Sequence, residues 1–240
     1  MSRELVFVAG GSSDIGGALI RRLLSAGDAQ IVAHHNAGAD RIEKNERVQT
    51  LEADLASTDA AVALADRLLS DIGVPDHVVY LAGLKLRYER FTKFSFEHFD
   101  RDFDIQVRAA VALMRRLLPH MAKKPRAKVV FVLSSVTRGA PPKFISMYTI
   151  VKHAQLGLMR ALASEYAATG ITINAVSPAM VETRFLDEIP AVAKEMSVAV
   201  APRGRIATPD DVVGAILFLL SRDSDFVTGI ELPVTGGSVP

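Results

Sequence analysis

What most constrains this chain is an alternation. Short, continuous runs of β-branched and aliphatic residues recur along it, each separated from the next by a stretch of helical length. Seven runs stand out: "LVFVAG", "QIVAHH", "RVQTLEAD", "DHVVYLAG", "AKVVFVLSS", "GITINAVSP" and "IELPVTGG". Strands that are apolar throughout must be covered on both faces, and helix-length crossovers join parallel neighbours. The predicted fold is a doubly wound α/β sandwich, a seven-stranded parallel sheet with helices on both faces. Its 240 residues suit one domain spanning 1–240, with no internal repeat or linker. Ligands of such sheets bind at the carboxyl ends of the strands. The least regular stretch, about 182–205, follows one of those ends and carries Pro190 and Pro202 among apolar residues, so it is expected to act as a substrate lid.

Composition narrows the partners. A net charge of +1 and scattered basic residues leave no electrostatic footprint for nucleic acid; the cluster Lys123, Lys124, Arg126 and Lys128 reads as a solvated helix end. With no cysteine, disulfides and thiolate catalysis are excluded. The apolar run Leu5 to Ala9 is too short for a signal-peptide core and no run has membrane-spanning length, so a soluble, cytoplasmic protein is expected. The six histidines lack ligand spacing, which predicts no metal; His153 reads as a packing or interface residue. Two helical segments, "VRAAVALMRRLLPHM" and "YTIVKHAQLGLMRALASEYAATG", are apolar in most directions around a helix. One face would meet the sheet and another a second subunit, which predicts a homo-oligomer, dimer or tetramer.

The stretch "VAGGSSDIGGAL" places Gly10, Gly11 and Gly16 at the first strand-to-helix turn, where glycine lets backbone N–H groups approach phosphate at a helix N-terminus. That placement points to a Rossmann-type dinucleotide site with Gly10, Ser12, Ser13 and Ile15 as phosphate contacts. Asp14 intrudes on the pattern. Aimed at a pyrophosphate it would repel it; as a helix N-cap it would accept from the amide of Gly16 or Gly17 and leave the loop functional, and the cap is the expectation. Where an acidic residue would favour NAD at the end of the second strand stand His34, His35 and Asn36, followed by Arg41 and Lys44, which favours NADP(H) over NAD. Asp54, beside Leu55, can accept from an adenine amino group or cap the helix beginning near Ser57.

Tyr148 and Lys152 in "YTIVK" are four apart, hence on one helix face, and Ser135 ends an apolar strand thirteen residues before the tyrosine. With these residues the chain resembles the short-chain dehydrogenase/reductase family along its whole length. The family's Ser, Tyr and Lys fall on Ser135, Tyr148 and Lys152. "SPAMVET" is similar to its nicotinamide loop and places Pro178, Val181 and Thr183 beside the cofactor; "PRGRIATPDDVV" and "FVTGIELPVTGG" resemble its C-terminal third. The 3-oxoacyl-carrier-protein reductases are the members it resembles most.

There are departures. The usual "NNAG" reads "YLAG", leaving Ala82 and Gly83 for the cofactor but Leu81 for an asparagine. Gln106 stands for the tetrad asparagine that helps to hold a water beside the lysine, Ala179 for a loop glycine and Thr235 for an aspartate. The resemblance implies hydride transfer from NAD(P)H to a carbonyl carbon. Tyr148 would act as acid and base, Ser135 would hydrogen-bond the oxygen, and Lys152 would hold the ribose and lower the phenol's ordinary pKa of about 10. The expected function is NADP(H)-dependent reduction of a carbonyl, including a 3-oxoacyl group on a carrier protein or coenzyme A. An NAD(P)-dependent alcohol or sugar dehydrogenase, or a non-catalytic dinucleotide sensor or partner subunit, are the alternatives.

Overall fold

The computed structural model describes residues 3–238. All seven apolar runs form strands: β1 (Leu5–Ala9), β2 (Gln30–His35), β3 (Val48–Glu52), β4 (His77–Tyr80), β5 (Ala127–Val132), β6 (Ile171–Pro178) and β7 (Glu231–Val234). They pair in parallel in the order β3-β2-β1-β4-β5-β6-β7. Strand order therefore reverses between β1 and β4, where a doubly wound sheet opens its crevice. The helices are α1 (Asp14–Ala26), α2 (Thr58–Arg67), α3 (Phe96–Phe103), α4 (Ala109–Met121), α5 (Ser146–Glu165), α6 (Ala191–Val200) and α7 (Pro209–Leu220).

Alternation along the strands builds two cores. Phe7, Val78, Tyr80, Val129 and Phe131 pack with Leu64 of α2, Leu113 of α4 and Met159 of α5. Val6, Val8, Val79, Val130 and Val176 face the other way, onto Leu19 and Ile20 of α1 and Val212 and Ile216 of α7. Burying one such aliphatic side chain stabilises the fold by about 1.5–3 kcal/mol. A π-helical turn, Asp104–Arg108, joins α3 to α4. The basic cluster is not a solvated helix end. Lys128 points into the protein from β5, fully buried, with Asp225 at 2.8 Å and the Ser224 hydroxyl at 3.0 Å; Lys124 pairs with Asp76 and Arg126 with Glu4. A lysine in a strand covered on both faces needs such partners.

The β1–α1 turn is shaped by close approach. Gly10 has φ +90°, and a Cβ there would lie 2.9 Å from the amide nitrogen of Ala82 after β4; a Cβ on Gly16 would lie 2.6 Å from the carbonyl oxygen of Gly10. The N-cap is Ser13, whose hydroxyl accepts from the Gly16 amide at 3.0 Å, and not Asp14, the first residue inside the helix. The Asp14 carboxylate turns to the segment after β6 instead. It accepts from the Arg184 amide at 2.7 Å and from the Arg184 guanidinium, whose Nη2 also donates to the Ser12 carbonyl at 3.2 Å. Partial burial works upward on this carboxyl, but Arg184, with help from Arg41, holds it below the usual carboxylate range. Helical position alone favoured a cap; the ion pair over a long sequence separation took the side chain elsewhere.

On the other side of the turn, His34 fixes the glycine loop to β3. Its Nδ1 accepts from the Gly10 amide at 3.2 Å and its Nε2 lies 3.0 Å from the Ala53 carbonyl, so Nε2 carries the proton and the ring is neutral. Burial lowers its pKa below the usual histidine value, and burial does the same to His77.

Two expectations follow from these contacts. Asp14→Ala should speed proteolytic cleavage within residues 182–205 while changing global stability by less than about 1 kcal/mol, because the pair is partly exposed and screened. The two histidines are neutral in the folded state, whereas the unfolded chain takes up protons below about pH 6.5. Their contribution is present above that pH and lost as pH falls toward the lowered folded values. Thermal midpoints followed by circular dichroism should therefore drop on acidification, and His34→Gln should flatten the drop.

Candidate active site

A cleft of about 760 Å³ opens at the carboxyl ends of the strands. The sequence-predicted residues converge on it from the ends of the first six strands and from the helices. Gly10, Ser12, Ser13 and Ile15 come from the β1–α1 turn, His35 and Asn36 from the end of β2, Asp54 and Leu55 from the loop after β3, and Ala82 and Gly83 from the loop after β4. Ser135 opens a single 3₁₀ turn after β5, Tyr148 and Lys152 project from α5, and Pro178, Val181 and Thr183 follow β6. Gln106 lines the cleft from the π-helical turn.

The half of the cleft nearest β1 to β3 fits a dinucleotide. Its glycine turn admits no Cβ at Gly10 or Gly16, so a phosphate can approach the start of α1 closely; the amides of Gly10, Gly11, Ser13, Gly16 and Gly17 are bonded within the protein, which leaves those of Ser12, Asp14 and Ile15 to face it. At the end of β2 the buried His35 has an Nδ1 with no hydrogen-bond partner, and Arg41, which also lines the cleft, lies over Gly38. Asp54 is not a helix cap, since Ser57 caps α2. One Asp54 oxygen accepts from the Ala56 amide at 3.0 Å and the other pairs with Arg101 at 3.2 Å.

Beneath the other half sits a third apolar cluster, in which Leu86, Val136, Ile145 and Leu186 pack against Tyr148, Met180 and Phe185. Burial pushes the Tyr148 phenol well above its usual range, against an opposing hydrogen bond from the Ser134 hydroxyl, and Asp102 adds to the rise. Lys152 is 6% exposed; its Nζ lies 5.6 Å from the Tyr148 ring centre and donates to the Val132 carbonyl at 3.1 Å. Burial lowers its pKa to about 8, with Asp102 acting in the opposite direction. The protein on its own thus keeps the phenol protonated. The segment leading into α5 is strained at Phe144, where φ is +70°, which a bulky side chain rarely adopts.

Gln106 does not extend toward Lys152. Its Nε2 donates to the buried Asp102 at 2.7 Å, its Oε1 has no partner, and its side chain packs on Gly83, where a Cβ would lie 3.1 Å from the Gln106 Cδ. His153 is exposed, with Nδ1 2.9 Å from the Thr149 carbonyl. The sequence reading missed four residues that shape the site: Ser134, Asp102, Gln155 and Arg184. Two carried a signal, for Asp102 lies four residues before Gln106 and Gln155 three after Lys152, each on a shared helix face. The other two are placed by loops and had none.

From residue 9 to residue 238 the sequence matches the family described as enoyl-(acyl carrier protein) reductase. It is 32% identical to a 4-formylbenzenesulfonate dehydrogenase of Comamonas testosteroni, over 99% of this chain and 98% of that one. It is 30% identical to a cis-4-hydroxycyclohexanecarboxylate dehydrogenase of Sinomonas cyclohexanicum, over 98% and 96%. The crystal structure of a 3-ketoacyl-(acyl-carrier-protein) reductase from Brucella melitensis complexed with NADH superposes with a TM-score of 0.88 at 26% identity, covering 98% of each chain. With a family match over nearly its whole length, a seven-stranded parallel sheet and a tyrosine and lysine side by side under the cleft, this chain belongs to the short-chain dehydrogenase/reductase family of oxidoreductases.

Proposed function

We propose that this oxidoreductase uses NADP(H) to reduce a carbonyl with an apolar body to an alcohol, and that a 3-oxoacyl thioester is the substrate class. The observation that carries the reading is the pairing of a half-buried, protonated Tyr148 with the buried Lys152 at the floor of an apolar pocket. When bound, the reduced nicotinamide supplies the hydride. The residues of the chain do the rest. Tyr148 gives its proton to the carbonyl oxygen, Ser135 and Ser134 offer hydroxyls along the same wall, and Lys152 holds the ribose and offsets negative charge left on the phenolate. A phenol that burial keeps protonated suits the reductive direction.

NADP(H) is supported by the end of β2, where His34, His35 and Asn36 bring no carboxylate and Arg41 lines the cleft. Segment 182–205 serves as the substrate lid: the residues that open it cover the cleft, and α6 within it has no fully buried residue. The half-exposed apolar side chains of α4 and α5, Val111 and Ile150 among them, support a homo-oligomer. Among the described residues no helix is long and apolar enough to cross a membrane.

Binding of NADPH and NADH, followed by nicotinamide fluorescence, should favour NADPH. His35→Asp should reverse the preference through repulsion of the ribose phosphate, and a clear NADH preference in the unaltered protein would refute the assignment.

With a panel of carbonyl substrates, Tyr148→Phe should lower kcat by about 10²-fold or more while cofactor affinity stays within a few-fold. In the unaltered enzyme kcat/KM should fall on the alkaline side as Lys152 loses its charge near pH 8. Absence of turnover with every carbonyl would make the dinucleotide-binding sensor the better reading.

A further inference from the structure

Gln155 lies three residues beyond Lys152 on α5 and is 1% exposed. Its Oε1 accepts from the Lys152 ammonium at 3.0 Å, and its Nε2 donates to the main-chain carbonyl of Gln106 at 2.8 Å. The two partners fix which way the amide faces, because an ammonium only donates and a carbonyl only accepts. One side chain thus spans the distance between α5 and the π-helical turn, and both ends of it are satisfied.

We propose that Gln155 is a positioning residue for the reaction: a strut that ties the Lys152 ammonium to the Gln106 carbonyl, with a fixed amide where the family resemblance leads one to expect an ordered water. A water can turn and pass protons along a chain, whereas a primary amide held at both ends does neither. The strut fixes Lys152 from behind and closes that side of the lysine to proton exchange. The proton that Tyr148 gives up is then replaced from water in the cleft. This assignment rests on the proposed role of Lys152 beside Tyr148, but the contact itself can be tested without turnover.

The groups that face the ammonium are few. Gln155 and Tyr148 come from α5, the Val132 carbonyl from β5, and Asp102 from α3; Asp102 is the one carboxylate acting on it, held at 2.7 Å by Gln106 and at 3.2 Å by the Leu84 amide. Removing the Gln155 acceptor leaves a buried ammonium with one hydrogen bond fewer, which favours the neutral amine; a carboxylate in its place favours the ammonium.

The experiment follows the Lys152 signal of ¹³Cε-lysine-labelled, cofactor-free protein by NMR through a pH titration, the signal being assigned by its loss in Lys152→Arg. The unaltered protein should titrate near pH 8. Gln155→Leu, which keeps the volume, should lower the midpoint by about one pH unit, and Gln155→Glu should raise it. The alkaline limb of kcat/KM for carbonyl reduction should move in the same two directions, a split that simple loss of packing would not produce. Should Gln155→Leu fail to fold, Gln155→Met takes its place with the same expectation. Midpoints within about 0.2 of the unaltered protein, or shifts of both variants in one direction, would overturn the strut. Opposite shifts in a protein that reduces no carbonyl would uphold it and refute the reductase reading alone.

Discussion

The ammonium of Lys152 is the charge this site has to bury, and much of the architecture around it follows from keeping that burial tolerable. An isolated ion moved out of water is strongly disfavoured, so a lysine with 6% exposure must find acceptors or lose its proton. It does some of each. The Val132 carbonyl at the end of β5 and the Gln155 amide on α5 accept from it, Asp102 supplies an opposing charge from α3, and the pKa still settles near 8. Strand, helix and crossover each contribute one element of the arrangement, so the floor of the cleft depends on the register of all three. The π-helical turn between α3 and α4 belongs to the same set, because it carries the carbonyl that the other end of Gln155 reaches.

The roof of the cleft follows different physics. Residues just after β6 are held by ion pairs at both sides: Arg184 to Asp14 of α1, and Asp187 to Lys85 and Glu188 to Arg87 of the loop after β4. These pairs are partly exposed, and each contributes little to stability in water. Contacts of that strength fix a resting position without locking it. The α6 helix beyond them exposes Val192, Met196 and Val200. Floor and roof therefore divide the work, with buried, hydrogen-bonded polar groups below and screened ion pairs above. Asp14, which intrudes on the glycine pattern, serves the roof, because its carboxylate is engaged by Arg184.

The sheet was legible because its evidence is local. Seven apolar runs became seven strands, and the parity of their residues sorted two cores without reference to any partner. The glycine turn, Tyr148 and Lys152 were legible for a similar reason: turn, helix spacing and strand end are each written over a few adjacent residues. What failed depends on distant contacts. Asp14 looked like a cap because only its own helix was visible, while its partner stands 170 positions away. Lys128 looked solvated because three basic residues precede it, although its place in β5 turns it inward onto Ser224 and Asp225. Gln106 differs from these two: it stands for the asparagine that helps to hold a water beside the lysine, and the carboxyl that takes its amide lies close by, one helical turn earlier.

Gln106 and Gln155 make physical sense together. The Gln106 side chain is turned to Asp102, and its main-chain carbonyl meets the Gln155 amide of α5. Holding Asp102 leaves the Gln106 Oε1 buried and unpaired, a cost of about 1–3 kcal/mol. The arrangement is tolerated because a free carboxylate at Asp102 would be worse. A buried carboxyl needs the donors it has from Gln106 and the Leu84 amide, and Asp102 in turn favours the charged form of Lys152. Two glutamines thus divide what one asparagine and a water are expected to do elsewhere in the family: one steadies the carboxylate that favours the charged lysine, the other sets where that lysine stands.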